Sequence, residues 1–356
     1  MAALGADALE PLATGAWILG AGGGGNPFLA LLNLRRLLKD GATIELLAPA
    51  ELADDDAVAM VAGIGAPLVG LERLTDPAIA ARPVLRLQER LGRRFRAVMA
   101  GEIGGANGLR PLLVAAVTGL PVVDADAMGR AFPESQMTSF ALAGLPPLPT
   151  MLSDGRDIDV FVGRVPDARW MERLCRQVSV ELGGVASACR APRLGGDVRR
   201  HGVQHSVSRA IALGRAVATA RRRHDDPVAV LVAAERGRLL FRGKVRDVER
   251  RATGGFLRGR AILDGLDGDR GSAFELAFRN EYAVAWHDGT VVGTTPDILA
   301  TLDSDSGEAV GTETLRYGQR LSVVALPAPP VFLAPAGIAL TGPRAFGYDV
   351  DYRPLR

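Results

Sequence analysis

Apolar and polar positions alternate along the first half of the chain in two periods. From Phe28 to Lys39, leucines including Leu29, Leu32 and Leu37 recur at helical spacing, and Gly41 stops the run. TIELLAP (43–49) reads as a short strand and AVAMVAGIGAP (57–67) as a buried one. A charged amphipathic helix is predicted from Pro83 to Arg94. FRAVMAGEIGG (95–105) is strand-like, and LRPLLVAAVTG (109–119) is a helix with Pro111 in its first turn. LPVVDADAMG (120–129) is a further buried strand. This alternation predicts an α/β fold: a three-layer N-terminal domain with a mainly parallel sheet, over residues 1–165.

The prolines of GLPPLPTMLSDG (144–155) interrupt the pattern, and DIDVFVG (157–163) is its last strand. A helix from Asp167 to Leu182 leads into a second domain, residues 166–356. Beyond Asp226 the period shortens to β segments divided by Gly and Asp: VAVLVAAERG, LLFRGKVRDVER, FLRGRAIL and AFELAFRNEYAVAWHDGTVVG. They predict an antiparallel barrel or sandwich at about 227–326, with Asp288-Gly289 as a hairpin turn. The tail is too aperiodic to place, and no internal repeat is visible.

Composition changes this picture little. The chain has 356 residues, 48% of them hydrophobic and 23% charged, an ordinary globular balance with ample material for a core. Its net charge of +2 and short charge runs give no nucleic-acid footprint. Arg221-Arg222-Arg223 is the densest basic patch, but carboxylates follow at Asp225 and Asp226, as at a helix end. No apolar run reaches the roughly 20 residues of a membrane helix. The N-terminus lacks a signal-peptide pattern, and Cys175 and Cys189 are too few for a disulfide framework. A cytoplasmic protein is expected, and the apolar content with few aromatics is compatible with a homo-oligomer.

Candidate chemistry starts at LGAGGGGNPF. Gly20, Gly22 and Gly25 satisfy the dinucleotide spacing G-x-G-x-x-G after the apolar AWIL, and Glu45 follows about twenty residues later at a strand. Pro27 argues against it, because a helix already under way before Gly25 would place that proline beyond its first turn. Asn26 as N-cap with Pro27 at the first helical position costs less. Gly22, Gly23, Gly24 and Gly25 then form a free loop whose N–H groups hold an anion or polar heterocycle, or let the chain pass close to a neighbour. NAD is the less favoured ligand.

Acidic residues form the second motif. GEIGGANG sets Glu102 at a strand end, with Gly104, Gly105 and Asn107 entering the next helix. VVDADAMGRAFPE contributes Asp124, Asp126, Arg130 and Glu134. Asp124 and Asp126 face one side if the chain is extended there, and strand ends of parallel sheets border the ligand crevice. Converging acids serve as an acid–base pair, bind a divalent ion, or are neutralised structurally by Arg130. The alternative for each Asp is a turn or helix cap, for Asn107 a cap, and for Glu134 a helix start. His201 and His205 share a helical face only if one helix spans them, and Gly202 and Val203 lie between. His224 and His287 fall at a helix end and a hairpin end. No nucleophile elbow or Cys/His pair is present.

LGAGGGGNPF, GEIGGANGLRPL, GLPVVDADAMGRAFPE, GTTPDI and GPRAFGYDVDY follow one another from Leu19 to the C-terminus. Together they resemble the S-methyl-thiohydantoin desulfurase-like family, whose members often accompany hydantoinase/oxoprolinase proteins. The resemblance implies an α/β N-terminal domain, a β-barrel-containing C-terminal domain, and hydrolytic removal of methanethiol from an S-methyl-thiohydantoin to leave a hydantoin. Its glycine loop falls on Gly22–Gly25 and its acidic motifs on Glu102, Asp124, Asp126 and Glu134, whereas RRHGVQH is not part of the pattern. The expected catalyst has Asp124 or Asp126 activating water and Glu102 assisting the leaving thiol. Asn26, Gly104, Gly105, Asn107, Arg130, Glu134 and the loop amides would bind substrate. Two alternatives stand beside it: a non-catalytic accessory subunit of a hydantoinase/oxoprolinase, and a dinucleotide-binding oxidoreductase.

Overall fold

In the computed structural model, which describes residues 2–65, 69 and 76–355, the segment ahead of the glycines is helical (α1, Ala6–Leu19). Leu9, Leu12, Ala16 and Leu19 are its buried face. The glycines therefore join two helices, and the strand that a dinucleotide fingerprint needs before them is missing. The next helix (α2, Phe28–Lys39) starts as its sequence predicts: Asn26 Oδ1 accepts from Phe28 N at 2.9 Å, and Pro27 already has helical dihedrals.

The first sheet is built from β1 (Ala2–Ala3), β2 (Glu45–Leu47), β3 (Ala57–Gly65), β4 (Ala97–Ala100), β5 (Val122–Val123), β7 (Thr150–Ser153), β8 (Asp159–Val162) and β9 (Val185–Leu194). Their order across the sheet is β1-β2-β5-β4-β3-β9-β7-β8. β2, β5, β4 and β3 are parallel, as alternation with helices requires, and antiparallel strands extend both edges. β7 lies inside the proline-rich interruption, and β9 comes from the second half of the chain. The expected strand at 57–67 is described to Gly65; Ala66 and Pro67 fall outside the described residues. The expected single strand at 120–129 is two short ones, β5 and β6 (Ala125–Asp126), the latter paired with β10 (Val203–Gln204).

Helices cover both faces of this sheet. α1, α2, α3 (Pro77–Leu91) and α4 (Ala106–Thr118) share one core with Ala59, Val61, Val98 and Val122. α3 begins six residues before the predicted start because Asp76 accepts from Ala78 N at 2.8 Å and Pro77 suits the first helical position. On the opposite face, α5 (Ser139–Leu142) and α7 (Gly195–His201) pack against Val58, Met60 and Met99, and α6 (Ala168–Glu181) against Leu152 and Ala188. Helices thus flank the sheet on both faces, but α6, α7 and β9 come from beyond residue 165, outside the stretch in which the three layers are expected. Cys175 and Cys189 are buried free thiols.

α8 (Ser206–Arg223) crosses α1 at a glycine-to-backbone contact on each side. A Cβ on Gly15 would overlap the Ala210 carbonyl, and one on Gly214 the Pro11 carbonyl. Backbone cannot yield there as a side chain could, so Gly214→Ala should cost about 1–3 kcal/mol or more. Urea unfolding checks this; an unchanged midpoint would contradict the close crossing.

The expected strand VAVLVAAERG is instead a helix (α9, Pro227–Ala234). Its start decides it: Asp226 Oδ1 accepts from Val228 N and Ala229 N, with Pro227 at the first helical position. A continuous apolar run carries no period that separates strand from buried helix.

The second sheet comprises β11 (Arg238–Thr253), β12 (Phe256–Gly265), β13 (Ala273–Arg279), β14 (Glu281–His287), β15 (Thr290–Thr294), β16 (Ile298–Asp303) and β17 (Arg320–Leu326). It is antiparallel throughout, in the order β15-β14-β13-β12-β11-β17-β16. Asp288 and Gly289 turn β14 into β15 with φ of 46° and 77°, the double positive φ that favours Asp-Gly. The sheet curls around Phe241, Phe274 and Leu299, but β15 and β16 do not hydrogen-bond, so it is a half-barrel and not a closed one. Its Ile298, Ala300 and Val324 enter the core shared with α1, α8 and α9. No helix among the described residues is long and apolar enough to cross a membrane.

Candidate active site

A cavity of about 400 Å3 lies where β3 and β4 end, with Gly63, Gly65, Gly101 and Glu102 on its wall. Gly24, Gly25 and Asn26 close one side, and Asn107 and Arg110 of α4 another. Glu172 and Arg176 come from α6 and Arg190 from β9. The tip between β13 and β14 delivers Asn280 and Glu281 from the second sheet. Strand ends beside the opening of a helix are where parallel sheets bind ligands.

Glu102 is oriented by its neighbours. Asn107 Nδ2 donates to Oε1, and Phe132 N donates to Oε2 at 3.2 Å. Asn107 is itself fixed, since its Oδ1 accepts from Gly63 N at 2.8 Å and Arg110 Nε at 3.1 Å. Burial raises the Glu102 carboxyl to about 7, against the opposing pulls of both hydrogen bonds and of Arg190. Desolvation lowers the half-buried Arg110 to about 10, partly offset by Glu102.

Glu281 is 2% exposed. Burial first and the Glu102 charge second push its carboxyl well above the ordinary range, opposed by Arg130. Its Oε2 is buried with no hydrogen-bond partner among the described residues. Two carboxyls therefore share one cavity, the Glu102 charge adding to the burial that raises Glu281, with Glu102 at about 7 and Glu281 shifted well above the ordinary carboxylate range.

Glycines bring Glu281 there. A Cβ on Gly23 would overlap its carboxylate, one on Gly24 the Gly104 carbonyl, and one on Gly22 would lie 2.5 Å from the Tyr282 ring. Gly22, Gly24 and Gly25 also hold φ of 89°, 75° and 80°. Thr312 N and Oγ1 donate to the Gly22 carbonyl and Tyr282 N to Ala21, tying the loop to the second sheet. The Gly24 and Gly25 N–H groups have no acceptor among the described residues and border the cavity.

The other sequence candidates sit elsewhere. Asp124 does not line the cavity: its Oδ1 accepts from Ser208 N at 3.0 Å and its Oδ2 from Ser208 Oγ at 2.6 Å, which caps α8. Asp126 is fully buried, its Oδ2 accepting from Ile103 N, Met128 N and Gly129 N at 2.7–3.1 Å. That knot fixes the turns flanking Glu102 and Arg130. Arg130 is buried under the cavity, donating to the Pro296 and Asp297 carbonyls at 3.0 and 2.7 Å. Glu134 pairs with Arg279. Gly104 and Gly105 serve close packing against Ala131 and Gly24. His201 ends α7, and His205 precedes α8 with φ 61°, so no single helix aligns them. No three His, Cys, Asp or Glu side chains among the described residues form a group that could hold a metal.

The chain matches the S-Me-THD-like N-terminal domain over residues 7–164 and the S-Me-THD-like C-terminal domain over residues 166–355. The chain belongs to the S-Me-THD-like family. Among solved structures, an X-ray crystal structure of a protein from Chromobacterium violaceum is similar over 100% of both chains, with 25% identity and a TM-score of 0.82. No curated protein matches. Membership assigns a thiohydantoin-related role at the level of the family, and the S-Me-THD-like cavity differs from the sequence expectation in which acids it presents. Glu281, Glu172 and Arg190 were not singled out by sequence. For Glu281 the available signal was FRNEY, a charged tip between two apolar strands.

Proposed function

We propose that this protein hydrolyses an S-methyl-thiohydantoin to the hydantoin and methanethiol, with Glu102 as base and Glu281 as acid. The observation that carries the proposal is the pair of buried carboxyls, Glu102 and Glu281, lining one cavity, with burial raising both above the ordinary carboxylate range. The ring carbon bearing sulfur is amidine-like, doubly bonded to nitrogen. Glu102 takes a proton from water as the water oxygen bonds to that carbon, and Glu281 gives its proton to the ring nitrogen. In the tetrahedral intermediate the C–S bond breaks and its electron pair leaves on sulfur. The Glu102 proton passes to the thiolate, and the new hydroxyl proton passes to Glu281, so a carbonyl forms and both groups are restored. Arg110 and the free Gly24 and Gly25 amides supply donors for a ring oxygen that gains charge.

A thiol-reactive dye and chromatography of the ring test this together. Equimolar thiol and hydantoin are expected from S-methyl-thiohydantoin. Substrate bound without thiol release, or no binding, would overturn the proposal.

A further inference from the structure

Arg130 is fully buried and uses only part of its guanidinium. Its Nε donates to the Ala131 carbonyl at 2.9 Å, and its Nη1 to the Pro296 and Asp297 carbonyls at 3.0 and 2.7 Å. Nη2 is buried and has no hydrogen-bond partner among the described residues. An idle buried donor is costly, because nothing replaces the water it has lost. Glu281 is the matching case, since its buried Oε2 is an acceptor without a donor. Of the charges acting on Arg130, that of Glu281 is the largest, ahead of Asp297 and Glu102.

The turn that clamps Arg130, residues 295–297 between β15 and β16, is anchored by the C-terminal tail. Asp297 Oδ2 accepts from the Tyr352 hydroxyl at 3.1 Å and from Leu355 N at 3.0 Å, and Oδ1 accepts from Ala328 N at 3.0 Å. Arg353 N donates to Thr294 Oγ1 at 2.9 Å, just ahead of the same turn. Tyr352 and Leu355 do not line the cavity, so the tail bears on it through Asp297 and Arg130.

We infer that Arg130 is a positioning residue for the acid: it holds the carboxylate that Glu281 becomes on giving its proton to the ring nitrogen, and the C-terminal tail fixes it there. Nη2–H donates to Oε2 while that charge lasts. The contact relaxes when the hydroxyl proton returns to Glu281, so Arg130 keeps its own proton throughout. The role rests on the function proposed above; the two idle buried groups and the grip of the tail do not.

The other charges bearing on Glu281 are Glu102 and Arg176, the latter paired with Glu172. Arg279, two residues before it, is paired with Glu134. Removing the Arg130 charge should therefore tighten the hold of Glu281 on its proton.

Infrared spectra of the full chain across pH follow the Glu281 carboxyl without requiring turnover, its band assigned by loss in Glu281→Gln. Arg130→Met should raise the midpoint of that band by about one pH unit or more. The falling limb of kcat/KM should move up equally, on a plateau about 10-fold lower or more. Arg130→Lys keeps the charge and should keep most of the wild-type midpoint, and Tyr352→Phe should raise it by less than Arg130→Met. A merely structural arginine predicts the opposite sign, because a loosened site admits water and lowers the midpoint. A midpoint that falls or stays in Arg130→Met overturns the inference. An unmoved midpoint in Tyr352→Phe overturns the part played by the tail, and the whole inference if Arg130→Met does not fold. Raised midpoints in a protein that releases no thiol would keep the pairing and sink the hydrolysis. Thiol release with unmoved midpoints would do the reverse.

Discussion

Glu281→Gln is expected to lower kcat/KM for methanethiol release by about 10²–10⁴-fold, the range for losing a positioned general acid or base. Glu102→Gln should fall as far, because the amide can neither take the water proton nor return it to sulfur. Neither loss should come from unfolding. Burial raises Glu102 from 4.5 to about 7, so its proton is held more tightly in the folded chain than in the unfolded one. Its contribution to stability is full below about pH 4.5 and is lost as pH rises through about 7. Glu102→Gln removes that loss, so above neutrality the variant should unfold at an equal or higher urea concentration. Activity within a few-fold of wild type in either Gln variant would remove that carboxyl from the chemistry.

Asp126→Ala should destabilise the fold by about 3 kcal/mol or more, because three buried N–H groups lose one shared acceptor. Asp126→Asn retains an oxygen at that position and should keep most of both stability and activity. Asp124 follows the same logic at smaller scale: Asp124→Ala removes the α8 cap and should cost about 1 kcal/mol. Urea midpoints and thiol-release rates on the four variants separate the roles. A folded Asp126→Asn or Asp124→Asn chain with activity reduced a hundredfold would return catalysis to the aspartates.

Motifs whose meaning is local were legible in the sequence. Asn26-Pro27 sets the start of α2, Asp288-Gly289 closes its hairpin, and Gly-rich turns after strands mark the cavity edge where Glu102 and Asn107 meet. What failed depends on distant partners. Asp124 and Asp126 look alike two residues apart, yet one caps a helix more than eighty residues later and the other ties two turns. β9 enters the first sheet from beyond the helix that follows it in expectation, so its arginines carried no visible address. Glu281 reaches the cavity only because the second sheet docks on the glycine loop, with Tyr282 N donating to Ala21 at 2.8 Å. The glycines themselves serve this docking as much as any ligand, a requirement that spacing alone does not distinguish. The strand expected at 228–237 became α9 because Asp226-Pro227 outweighs an apolar run with no period.

The claim beneath all of this is that one cavity carboxyl titrates near neutrality and works as the base opposite a protonated partner. The pH dependence of kcat/KM for thiol release, taken from pH 5 to 10 on wild type and Glu102→Gln, measures it directly. The wild type should rise with an apparent midpoint near 7, as Glu102 ionises, and fall again at higher pH as the Glu281 proton is lost. The rising limb should vanish from whatever activity Glu102→Gln retains. A wild-type profile flat between pH 6 and 8, or the same rising limb in the variant, would contradict the assignment.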